Sequence, residues 1–168
     1  MSSQKPPARD DAYAVFSQRA GLRLDLASWQ RHAGQFFATT LGLVSETRMD
    51  AGFPWLQAMT VRIAPVQEGP PARFASGARL CCSRPTVDDD LRAALDAESR
   101  TGRAGLSDLA KRCPTVWLVE SRPTADDEID ALALRIAAIV AGVELGPILS
   151  PHAAALFGPK TARARLGG

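Results

Sequence analysis

The chain has 168 residues, 46% hydrophobic and 23% charged, with a net charge of +2. That is the size and balance of one soluble globular domain, and it excludes a strong field toward nucleic acid or membrane. Three cysteines, two of them adjacent, make no disulfide framework and point to a reducing, cytoplasmic setting; the apolar run 129–149 carries Asp130, Arg135 and Glu144, which excludes a membrane-spanning helix.

Residues 1–9 are small and polar with Pro6-Pro7, and are expected to form a disordered tail without a secretory signal. A short helix is predicted from Asp10, with acids in its first turn, Tyr13, Val15 and Phe16 inward and Gly21 at its end. Leu22, Leu24 and Leu26 alternate as a short strand or a lead-in. Helical spacing follows over 27–41 (Trp29, Ala33, Phe36, Phe37, Leu41), capped near Asp25 or Ser28. Strand periodicity then marks 43–49, 55–64 and 74–82, with a proline-rich loop at 65–72 between the last two. The simplest connection makes these three an antiparallel meander.

The second half is organised by a repeated motif. Ser83-Arg84-Pro85-Thr86-Val87-Asp88-Asp89-Asp90 recurs as Ser121-Arg122-Pro123-Thr124-Ala125-Asp126-Asp127-Glu128. In each, proline ends a strand, threonine caps a helix, and carboxylates fill the first turn, where the helix dipole favours them. The first launches a helix to about Ser99, followed by a short one over 106–112. Thr115 to Glu120 reads as a buried strand, and the second motif opens a helix over 125–143 that is apolar nearly all round. Strand, helix, strand, helix implies a crossover between parallel strands. The fold class is therefore α+β: a three-stranded antiparallel meander extended by a βαβα unit, helices mainly on one face. Residues 10–158 form a single domain, and 159–168 a flexible basic tail with Lys160, Arg163 and Arg165.

Each motif has a functional and an architectural reading. Arg84 and Arg122, with Arg100 and Arg103, are the candidate anion contacts. The architectural reading pairs each motif arginine with a nearby aspartate. It is preferred, because a phosphate at either helix start would meet two or three carboxylates. Neither a GxxxxGK[ST] loop nor a GxGxxG fingerprint occurs. Metal chemistry has poor material, because His32 and His152 are the only histidines and Cys81 and Cys82 point to opposite strand faces. Cys113 before Pro114 reads as a packed thiol, and no GxSxG elbow exists. No metal, cofactor or catalytic constellation is assigned.

The order of elements over about 22–145 resembles that of the GNAT acyl-CoA N-acyltransferases. That family holds the coenzyme A pyrophosphate on a Q/R-x-x-G-x-G/A loop after its fourth strand. The nearest match here, Ser99-Arg100-Thr101-Gly102-Arg103-Ala104, has Ser for Gln or Arg and follows a helix. The chain also resembles the type III secretion chaperones, small dimeric α+β proteins, although its pI of about 8.6 departs from their acidity. The leading expectation is a small non-catalytic binding or assembly protein of bacterial type. It would contact itself or a protein partner, neither membrane nor nucleic acid, through Leu134, Ala138, Ala141 and Leu145 of the apolar helix and the segment after it. A GNAT-like acyltransferase and a chaperone-like dimer are the alternatives, and a small-molecule ligand stays open.

Overall fold

A computed structural model of the chain describes residues 6–19, 24–46, 55–66, 75–101, 105–123 and 129–167. Among these, seven strands form one sheet: β1 (Ala12–Ser17), β2 (Thr39–Glu46), β3 (Gln57–Pro65), β4 (Gly77–Pro85), β5 (Thr115–Glu120), β6 (Ile148–Leu149) and β7 (Leu156–Phe157). Five helices accompany them: α1 (Leu26–Phe37), α2 (Asp88–Thr101), α3 (Leu106–Ala110), α4 (Ala131–Glu144) and α5 (Pro159–Arg165). The strand order is β2-β3-β4-β5-β1-β6-β7, and every pairing is antiparallel.

The meander β2-β3-β4 and the α+β class stand as expected. The helix expected from Asp10 does not: Arg9–Asp11 is a 3₁₀ turn, and Tyr13, Val15 and Phe16 belong to β1, between β5 and β6. All six β1 residues are buried, because both faces of the sheet are covered there, so the strand shows no alternation of polar and apolar residues. Asp25 is the cap of α1, accepting the Ser28 N–H at 3.0 Å. Leu24 and Asp25 lead into that helix, Leu26 opens it, and the rest of the expected short strand lies outside the described residues. The helix stops at Phe37, where Ala38 turns left-handed (φ 48°), and Leu41 passes to β2.

The expected parallel pair is also corrected. Strands β4 and β5 are antiparallel neighbours, from Cys81 opposite Val119 to Pro85 opposite Thr115. One crossing helix would deliver the chain to the far end of the sheet. Here α2 and α3 together return it to the end where β4 finished, so β5 runs back beside β4.

Three helices, α1, α4 and α5, lie over one face, and α2 and α3 over the other. The first core gathers Tyr13, Val15, Trp29, Met59, Val61, Val119, Ile136 and Ile139; the second gathers Ala14, Phe16, Ala94, Ala97, Val116 and Leu118. This explains the composition of α4. It packs against the sheet, α1 and α5 together, so apolar residues are required on most of its circumference. The basic tail expected from residue 159 is instead α5. Ala162 is fully buried there, and the Arg165 guanidinium sits 4.3 Å from the centre of the Phe157 ring. At the other end Arg9 is anchored as well, 2.5 Å from Asp89. Gly146 is a close-approach position: a Cβ there would lie 1.7 Å from the Phe16 carbonyl oxygen, so only glycine lets the chain enter β6 beside β1.

Candidate functional site

Both repeated joints are closed by buried carboxylates. Asp90, fully buried in the first turn of α2, accepts two bonds from the Arg84 guanidinium (2.6 and 2.8 Å) and one from the Val87 N–H (2.9 Å). Arg9 approaches it to 3.7 Å. Burial pushes the Asp90 carboxyl up, but the Arg84 and Val87 hydrogen bonds and the two arginine charges outweigh this and hold it below the usual carboxylate range. Thr86, the expected cap, donates its hydroxyl to the Cys113 carbonyl at 2.7 Å and so ties the joint to the start of β5.

In the second joint Asp130 does this work. It caps α4 through the Ala133 N–H (3.1 Å) and also accepts the Arg122 N–H (2.8 Å) and the Arg79 guanidinium (2.7 Å). Burial raises its carboxyl, and the Arg79 bond, the two N–H bonds and the Arg79 charge lower it further than burial raises it. The helix therefore opens at Ala131 rather than near residue 125. Thr124, the cap expected from the motif, and the acids 126–128 lie outside the described residues.

Of the four arginines expected as anion contacts, the three described ones are engaged within the chain. Arg84 is occupied by Asp90, and the Arg122 side chain is paired with Glu120 at 2.5 Å. Arg100 donates to the carbonyls of Asp96 and Ala153, and Arg103 lies outside the described residues. The cysteines face opposite sides of the sheet, Cys81 toward the first core and Cys82 away from it. Burial pushes the Cys82 thiol up to about 12 and the Cys113 thiol up to about 11, and lifts Cys81 further, so none is a thiolate nucleophile at neutral pH. Among the described residues no three of His, Cys, Asp and Glu converge as metal ligands. Nor is any helix among the described residues long and apolar enough to cross a membrane.

What the fold does offer is an open groove of about 350 Å³ beyond the end of the sheet where β1 and β7 finish and β6 begins. One wall is Leu106 and Leu109 of α3. The other is Ala141, Gly142 and Leu145 at the end of α4, continued by Pro147 and Pro159. Gln18 supplies polarity, but its amide is spent on the Leu145 carbonyl, and its N–H on that of Glu144 at 3.0 Å. The Glu144 carboxylate is buried, accepting Trp29 Nε1 at 3.0 Å and the Ser17 hydroxyl at 2.8 Å. Among the described residues none of the lining side chains titrates. What they form can bury an apolar group and brings no acid or base to it.

The four residues expected to meet a partner divide here. Leu134 and Ala138 are buried within the domain and cannot touch another molecule without opening it. Ala141, also buried, forms groove floor. Leu145 is 62% exposed. Of these four, the exposed one is thus Leu145, the cap just past the C-terminal end of α4. Leu145 is also conformationally odd. It is the left-handed C-cap (φ 59°, ψ 44°), where glycine or asparagine is usual and a branched side chain costs about 1 kcal/mol. The opposite wall was hidden in the sequence. Leu106 and Leu109 show only an i, i+3 spacing, and Gln18, Pro147 and Pro159, which complete the lining, come from places far apart in the sequence.

No family model matches the chain, and neither curated proteins nor solved structures give a significant match.

Proposed function

We propose that this is a non-catalytic binding or assembly protein whose contact surface is the groove at the C-terminal end of α4, with Leu145 at its rim. The observation that carries this reading is Leu145 itself: a large apolar side chain, 62% exposed, held in a left-handed conformation that disfavours it. It contributes little to the fold, and a solvated leucine in that geometry is explained by what covers it in a complex. The groove beside it supplies matching apolar walls and, among the described residues, no reactive group. A partner-holding role is also what the secretion-chaperone resemblance implies. The acyltransferase reading has no comparable support, because the helix after β4 opens on Asp88, Asp89 and Asp90 and its arginine is taken.

A photo-crosslinking residue at position 145 tests the proposal. One discrete adduct is expected, lost when Leu109→Asp spoils the facing wall. Absence of an adduct, or the same adducts from a crosslinker at exposed Asp96 on the opposite side of the domain, refutes it.

A further inference from the structure

The helices over the α4 face carry charge of one sign. Across α1, α4 and α5 the only carboxylate is Glu144, which is buried and bonded to Trp29 and Ser17. Arg31, Lys160, Arg163 and Arg165 of the same layer are exposed. The two aspartates that cap the layer are already engaged, Asp25 with Ser28 and Arg19 and Asp130 with Arg79. The opposite layer differs: α2 and α3 expose Asp88, Asp96 and Asp108 among their basic residues. The groove opens at the end of the basic layer. Pro159 on its wall adjoins Lys160, and Gly142 packs so closely under α1 that a Cβ there would lie 2.0 Å from His32 Nε2, beside Arg31.

From this charge complementarity we infer that the groove's partner is a protein segment that presents apolar side chains flanked by carboxylates. The apolar part would enter between Leu145 and Leu109, and the acidic flank would lie along α1 and α5. This inference rests on the groove being the contact proposed above. A nucleic acid fits less well, because the described walls are aliphatic and proline-lined, with no aromatic side chain among the described residues on which bases could stack. A second copy of the chain fits less well too, since its exposed acids on α2 alternate with Arg92 and Arg100.

Selection from a random peptide display library on the full chain, counter-selected against Leu145→Asn, tests both levels. Asparagine tolerates the left-handed cap, so the variant loses the side chain and keeps the fold. The expected result is Leu145-dependent peptides with apolar centres and an excess of Asp and Glu. Their binding should weaken about tenfold on reversing Lys160 and Arg163 to Glu, and should fall as salt rises. Leu145-dependent peptides without acidic bias or salt dependence overturn the charge inference and leave the groove reading standing. Enrichment that ignores Leu145 overturns both. Salt-sensitive retention of single-stranded DNA or RNA, or self-association, blocked by the same charge reversals would assign the basic layer to those occupants instead.

Discussion

The two repeated joints share eight positions of sequence pattern and solve the same problem with different residues. In the first, the motif's own arginine turns back onto the motif's own aspartate: Arg84 grips Asp90 with two nitrogens. In the second, the arginine that closes the joint is Arg79 of β4, and the carboxylate is Asp130, two residues beyond the motif. Arg122 contributes its backbone N–H there and sends its side chain to Glu120. The difference teaches that the repeat specifies a need, a buried negative charge at a helix start, and leaves its partner to the neighbouring strand. Joint one is a local clasp. Joint two ties α4 to the sheet.

The sharpest ways to break this comparison remove the carboxylates. Asp130→Ala should cost about 3–5 kcal/mol in chemical denaturation, because it strips the α4 cap and leaves Arg79 without its anion in a mostly buried place. Asp90→Ala should cost a similar amount for Arg84. A loss under about 1 kcal/mol at either site would mean that water replaces the carboxylate and that the joints are not closed as described. The arginines come next. Arg84→Met should cost about 2–3 kcal/mol, and Arg122→Met less than about 0.5, since the Arg122 side chain is mostly exposed. Equal losses would contradict the asymmetry between two residues that the repeat places identically.

Acid should expose the same pair. Both carboxyls are held below their ordinary values in the folded protein. As pH falls below the unfolded value of about 3.9, the unfolded chain takes up protons first, and the stability these groups contribute is lost toward their folded values. Stability measured from pH 6 down to about 2 should therefore decline less steeply in Asp90→Asn and Asp130→Asn than in the parent. A parent-like slope in both would move the acid sensitivity elsewhere. At the other end of α4 the smallest effect is expected: Leu145→Gly should raise stability by about 0.5–1 kcal/mol by relieving the left-handed cap. Acetyl-CoA should leave the melting temperature unchanged; a rise of several degrees would revive the acyltransferase alternative.

Several of these features were legible in the sequence, because local chemistry decided them. The meander follows from alternation, and β5 runs over Thr115–Glu120 as its β-branched and aromatic run implies. The start of α4 is not legible locally, because Thr124 in the motif is a competent cap by residue type, while Asp130, the cap in the structure, is held by Arg79 fifty-one residues away. Strand β1 was mistaken for a helix because burial on both faces erases its period. The direction of β5 depended on whether the chain between it and β4 crosses once or goes out and back. Leu145 is marked in the sequence by its place after the apolar helix, and the structure shows it exposed. The groove was not legible, because its other wall is α3 and the rest of its lining comes from segments that meet only in the folded chain.

The position of β1 has a consequence for how the protein is made. This strand precedes both of its partners in the chain by a long stretch, for it sits mid-sheet and pairs with β5 and β6. Roughly a hundred residues must follow before its first partner exists, which at about 5–20 residues per second is a wait of several seconds. Throughout that time Ala12–Ser17 is an unpaired apolar strand, the kind of segment that other nascent chains can capture. Synthesis of this domain is therefore its period of greatest exposure to aggregation.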